Sequence, residues 1–217
     1  MQNKKGDVCQ FYNAARAALT AFFFIFAYML IQRHSSHSAS VKKESKSCYP
    51  EKGVRGLNHR DEIGALLEEH GLKSGVEVGV QQGVFSRIIL SQWKSCRSYK
   101  LVDIWEHQHN YKDGANVDQE THNKFFEDTK ATLKEYDQIT EYYRMYSVEA
   151  AKRIEKESLD FAFIDARHDY CGVKEDLEAY WPLVKPGAIM AGHDYVTAEE
   201  VGIEYILSSV FIISFFP

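Results

Sequence analysis

Gly75-Val-Glu-Val-Gly-Val-Gln-Gln-Gly-Val-Phe85 reads as a short apolar strand that runs through a glycine turn into a helix. Val76 to Val80 is the strand and Phe85 to Trp93 the helix. Gly79 and Gly83 let the backbone pass close to a ligand, and the first turn of the helix presents free N–H groups to a carboxylate. The single Gly-x-x-x-Gly spacing is not the dinucleotide fingerprint Gly-x-Gly-x-x-Gly, which disfavours a nicotinamide-dependent oxidoreductase. About twenty residues past Gly83, Asp103 ends a second strand in Leu-Val-Asp-Ile-Trp, where an acid can accept the two hydroxyls of a ribose.

Outward from that turn the pattern alternates. Before it, Arg60 to His70 is an amphipathic helix closed by Gly71. After it come a strand over Tyr99–Ile104, a helix over Asn123–Tyr136 and a weaker strand over Tyr142–Tyr146. A helix over Val148–Lys156, a buried strand over Leu159–Ile164 and a helix over Gly172–Val184 follow. Pro186-Gly187 is expected to turn the chain before a short strand over Ala188–Ala191. Strands and helices at this spacing predict an α/β, Rossmann-like, doubly wound and mostly parallel sheet. After Tyr195 only a short stretch remains, so the sheet is expected to look truncated. The apolar end Val210-Phe-Ile-Ile-Ser-Phe-Phe-Pro217 is either one edge of the sheet or a segment without a partner.

The N-terminal side differs in kind. Residues 1–16 form a short tail, and 17–32 are apolar and uncharged between Arg16 and Arg33. That run is short for a bilayer span but Phe-rich, and is expected to be a transmembrane signal anchor, with a cleaved signal peptide as the rival. Residues 33–52, rich in Ser, Lys and His, read as a flexible stalk, which leaves 53–217 for the folded domain. The expected setting is a single-pass membrane protein with its domain in the Golgi or ER lumen, or a secreted protein if the segment is cleaved.

Composition excludes collagen-like, disordered and disulfide-scaffold classes, since 45% of residues are hydrophobic and only four are Cys. A net charge of −5 and the lack of basic runs among aromatics argue against nucleic acid as a partner. No C-x-x-C pair is present, which argues against a structural zinc site. In an oxidising lumen Cys48 is free to pair with Cys96 or Cys171.

Gly75–Phe85, Leu101–Trp105, Ser147–Ala151 and 159–195 together resemble a class I S-adenosylmethionine-dependent methyltransferase, covering about the first two thirds of that fold. Phe163-Ile-Asp-Ala-Arg-His-Asp-Tyr170, Asp176-Leu-Glu-Ala-Tyr-Trp-Pro-Leu-Val-Lys-Pro-Gly187 and Gly192-His-Asp-Tyr195 resemble the branch that contains the macrocin-type sugar O-methyltransferases. The resemblance implies S-adenosylmethionine as cofactor, a hydroxylated small molecule as acceptor, and a pocket lined by Glu77, Gly79, Gly83, Asp103 and Ser147, with Ser147 near the adenine. A Ser in that place also suits a helix N-cap.

Methyl transfer to a hydroxyl needs alignment and a base. His168 stands just beyond the fourth strand, where the crevice of an open α/β sheet lies, and its ordinary pKa suits a base at neutral pH. Asp165 is expected to orient the reacting end. Asp165, His193 and Asp194 follow adjacent strand ends and are expected to converge on a divalent metal, magnesium by the resemblance, although His193 is a poor magnesium ligand. The long loop carrying Trp105, His107, His109, Tyr111 and Asp113 is a natural place for substrate contacts or a lid. Against the enzyme stands a membrane-tethered pseudoenzyme that keeps part of the fold as an interaction module.

Overall fold

Burial along the strands sets the layers. In β4 (Leu159–Ile164), Phe161 and Phe163 face one side of the sheet, Ala162 and Ile164 the other, and all four are buried. A strand buried on both faces belongs inside a parallel sheet with helices on each side. The computed structural model, which describes Leu57, residues 59–194 and residues 211–214, has that architecture.

The strands run in the order β3-β2-β1-β4-β5-β6. β1 (Ser74–Val78), β2 (Ser98–Asp103), β3 (Thr140–Arg144), β4 and β5 (Val184–Gly192) are parallel, and β6 (Phe211–Ser214) is antiparallel to β5. One face of the sheet packs on α1 (Ile63–Glu69) and α2 (Val84–Gln92) through Leu66, Leu67, Ile89, Leu90 and Trp93, with Leu133 after α3 (Gln119–Thr132) beside them. The other face packs Val76, Val78, Val102 and Met190 against Ala150 and Ala151 of α4 (Ser147–Ala151) and Tyr180 of α5 (Tyr170–Tyr180). Each fully buried aliphatic side chain in these two layers contributes about 1.5–3 kcal/mol.

Several boundaries move for identifiable reasons. α3 begins a turn earlier than the expected Asn123, because the Asp118 side chain accepts from Thr121 N and caps it. α4 stops at Ala151 rather than Lys156. β5 begins at Val184, well before the expected Ala188, and Pro186-Gly187 lies inside the strand rather than in a turn ahead of it. Leu159 pairs with Val184 but Phe161 with Ile189, so the extra residues of β5 form a bulge, and Gly187 takes φ 81° within it. The apolar end of the chain, of the two readings, is an edge: β6 pairs Phe211–Ser214 with Ile189–Gly192.

Among the described residues no helix is long and apolar enough to cross a membrane. The expected tail, anchor and stalk at 1–16, 17–32 and 33–52 lie outside the described residues. Cys96 is a free buried thiol, so it is not the partner of Cys48, and Cys171 is disulfide-bonded.

Candidate active site

The glycine turn sits where the strand order reverses, between β1 and β4, and there the two strand ends touch. Gly79 has φ 94°, and a Cβ on it would lie 2.0 Å from the Asp165 carbonyl oxygen. Only glycine allows that approach. Gly83, at φ 70°, is the N-cap residue of α2. A cavity of about 480 Å³ opens at these carboxyl ends, lined among others by Glu77, Gly79, Asp103, Ser147, Asp165 and His168, in the position where open α/β sheets bind ligands. Gly83 is not among its lining residues; it shapes the turn from behind.

Glu77 is 1% exposed. Its Oε2 accepts hydrogen bonds from Ser86 Oγ at 2.7 Å and Tyr99 Oη at 2.9 Å. Burial nevertheless pushes its carboxyl up to about 8, so at neutral pH it is protonated and can donate. Asp103 closes β2 over the turn: Oδ2 accepts the N–H groups of Val80 and Gln81, both at 2.9 Å, and Oδ1 that of Trp105 at 2.8 Å. It therefore fastens the turn and its own loop while bordering the cavity.

Ser147 is the first residue of α4, and Tyr146 is the N-cap residue, so Ser147 is not the cap. Its hydroxyl pairs instead with the carboxylate of Asp176 on α5, a residue 3% exposed. Burial pushes Asp176 up to about 6 against that hydrogen bond. Tyr180 Oη donates to Ser147 O at 2.9 Å and locks the same corner.

At the other end of the cavity His168 stands among three carboxylates. Its Nε2 lies 3.4 Å from Asp165 Oδ1 and 3.3 Å from Asp194 Oδ2, and its Nδ1 lies 3.3 Å from Asp113 Oδ2. The hydrogen bond with Asp165, then that with Asp113, raises the imidazole to about 9. His168 is thus an imidazolium at neutral pH, not the free base that its ordinary pKa predicts. Arg60 adds a second cation, 3.2 Å from Asp165 Oδ2, and stacks over Phe85 with its guanidinium carbon 5.0 Å from the ring centroid.

The metal set differs by one residue from the expected Asp165, His193 and Asp194. Ligand atoms of Asp165, His168 and Asp194 all lie within 4.8 Å of one another. His193 Nδ1 turns to its neighbour, 2.7 Å from Asp194 Oδ1 and 3.7 Å from Asp165 Oδ1, leaving Nε2 buried without a hydrogen-bond partner. Three of the four described non-glycine residues with positive φ, Gln81, Trp105 and Asp194, line this cavity. Backbone strain of that kind costs about 1–3 kcal/mol per residue and concentrates at functional sites.

The loop after β2 folds back onto the cluster. Tyr111 Oη accepts from His168 N at 3.1 Å, and Asp113 reaches the imidazole directly. His107 and His109 pack edge to face on each other, and neither lines the cavity. Asp169 is the N-cap of α5, accepting from Gly172 N. A Tyr170-x-x-x-Lys174 spacing of the oxidoreductase kind does occur, but Lys174 pairs with Glu178 on an exposed helix face. Sequence reasoning missed Arg60, His122 and Asp176, all three at the cavity. For Arg60 the signal was its place at the start of an amphipathic helix; for the other two a polar residue at helical spacing gave no sign that it was buried.

A doubly wound sheet with a glycine turn at its reversal and an acid closing the next strand defines a cofactor-binding α/β domain. Residues 76–195, more than half of the chain, match the family model of a methyltransferase domain, and the chain belongs to that family. By family and fold it carries a methyltransferase domain built on a Rossmann-like sheet. It is similar to the O-methyltransferase from Bacillus cereus solved in complex with SAH, at 15% identity and a TM-score of 0.47, over 66% of this chain and 59% of that one. It is also similar to spermidine synthase from Thermotoga maritima, at 16% and 0.47, over 65% of this chain and 46% of that one. N-methyltransferase NodS from Bradyrhizobium japonicum matches at 11% and 0.45, over 66% of this chain and 68% of that one. The chain spans about half to two-thirds of the length of these three proteins. No curated protein matches it.

Proposed function

We propose that the chain transfers the methyl group of S-adenosylmethionine to a hydroxyl of a sugar or other small molecule, in the manner of the macrocin-type sugar O-methyltransferases. One observation carries the reading: a single cavity joins the glycine turn and Asp103 at one end to the charged cluster Asp165, His168 and Asp194 at the other. The cofactor lies over the turn, with Asp103 at its ribose and Ser147 at its adenine, and the acceptor hydroxyl lies at the cluster. In the reaction the hydroxyl oxygen bonds to the methyl carbon as the carbon–sulfur bond breaks. S-adenosylhomocysteine leaves, and the hydroxyl proton passes to a carboxylate of the cluster, Asp165 or Asp194, which the His168 imidazolium holds in place.

Two carboxylates and one imidazole, once it releases its proton to the incoming ion, fit a divalent cation, and the imidazole favours manganese- or iron-like ions over magnesium. Held by Asp165, His168 and Asp194, the ion would lower the pKa of the acceptor hydroxyl. We further propose that the domain lies in a secretory-pathway lumen behind an anchor at 17–32, a reading supported by the apolar, uncharged character of that run and by the disulfide at Cys171.

The test is transfer of labelled methyl from S-adenosylmethionine to a panel of sugars and catechols, with manganese or magnesium and with chelator. Turnover with a hydroxylated acceptor, lost in Asp165→Asn, is the expected result. Transfer only to amines, or to no acceptor by a chain that binds the cofactor, would overturn the O-methyltransferase reading.

A further inference from the structure

Asp103 cannot serve a ribose diol by itself. A carboxylate offers about four acceptor directions, and three are taken by the N–H groups of Val80, Gln81 and Trp105. What is left, one direction on Oδ1, suffices for one hydroxyl. The second hydroxyl needs another partner in the same end of the cavity.

His122, on α3, fits that requirement. It is 8% exposed and lines the cavity, and its Nε2 is buried without a hydrogen-bond partner. Buried polar atoms without partners are rare in native proteins and call for a ligand or water. Asp103 is the charge acting most strongly on the His122 ring, while burial lowers its pKa and keeps it neutral. The helix that carries it is fastened over the glycine turn: Thr129 Oγ1 donates to Gln81 O at 2.9 Å, and Gln119 Nε2 donates to Trp105 O at 3.2 Å. The ring packs edge to face on Phe125, centroids 6.2 Å apart.

We propose that His122 is a cofactor-binding residue whose Nε2 pairs with one ribose hydroxyl of S-adenosylmethionine while Asp103 Oδ1 accepts from the other. The inference rests on the cofactor reading above. A hydroxyl both donates and accepts, so either imidazole tautomer serves. The division also explains why one acid is enough in a turn that already draws three backbone hydrogen bonds from it.

The test is calorimetric binding of S-adenosylhomocysteine and of its 2′-deoxy and 3′-deoxy forms to the full-length chain, to His122→Phe and to His122→Gln. His122→Phe is expected to weaken S-adenosylhomocysteine about tenfold and to leave the affinity for one of the deoxy forms unchanged. His122→Gln, which keeps a polar end, recovers part of the loss, and the unliganded melting temperature does not fall in the Phe variant. Equal weakening of all three ligands, or no weakening of S-adenosylhomocysteine, would overturn the assignment of His122 while leaving the cofactor reading intact. A folded, unaltered chain that binds none of the three overturns that reading, and His122 with it.

Discussion

Glu77→Gln separates the cost of a buried carboxylate from everything else in the molecule. The wild-type carboxyl has its pKa pushed by burial from an ordinary 4.5 up to about 8, so between those values the native state holds a proton that the unfolded chain has released. The stability this group contributes is full below pH 4.5 and is lost as pH rises through 8. At 1.36 kcal/mol per pH unit the loss is on the order of 5 kcal/mol. Glutamine keeps the oxygen that accepts from Ser86 and Tyr99 and puts an amide NH₂ where the carboxylic O–H stood, but does not titrate. Urea denaturation of both proteins at pH 5, 6.5 and 8.5 is the assay. The variant should lie near or below the wild type at pH 5 and gain on it steadily, ending several kcal/mol ahead at pH 8.5. Asp176 and His168 titrate in both proteins and cancel. Parallel stability curves would refute the reasoning, since they would mean that Glu77 is ionised in the folded chain at neutral pH.

Other outcomes follow from single contacts. Gly79→Ala should cost at least about 3 kcal/mol in a thermal melt, from its φ of 94° and the 2.0 Å approach to Asp165 O, whereas Gly71→Ala, at φ 62° with nothing within 4 Å, should cost only about 1. Ser147→Ala strips the buried Asp176 of its hydrogen bond and should destabilise by about 1–3 kcal/mol at pH 8, with a smaller loss below pH 6, where the carboxyl is protonated, read by urea denaturation. Asp165→Asn and Asp194→Asn should each weaken manganese binding at least tenfold by calorimetry, while His193→Gln, which the geometry puts outside the ligand set, should weaken it far less.

Much of the sheet was legible because its strands are apolar on both faces: Leu159–Ile164 falls where the sequence puts it, and the glycine turn opens α2 as read. The long β5 was not legible, since Pro186-Gly187 is ordinary turn chemistry and only pairing with β4 turns it into a bulge. At the site, strand ends brought Asp165, His168 and Asp194 together as their positions implied, but which of the two histidines joins depends on side-chain direction. His193 turns to Asp194, and His168 swings back from the loop to Asp165. The upward shift of His168 also escaped a reading by residue type, because two of its three carboxylates come from distant segments, Asp113 and Asp194. Ser147 illustrates the same limit: its place before a helix suits a cap, and only the tertiary approach of α5 gives its hydroxyl to Asp176.

The central claim is that the glycine turn, Asp103 and the cavity between them hold the cofactor. Titrating S-adenosylhomocysteine into the full-length chain in a calorimeter tests it most directly, with Asp103→Ala as the comparison and a melt of each protein to establish that it is folded. The account predicts saturable binding of one molecule per chain, strongly weakened by Asp103→Ala. A folded chain that gives no binding heat at any of several temperatures would contradict it.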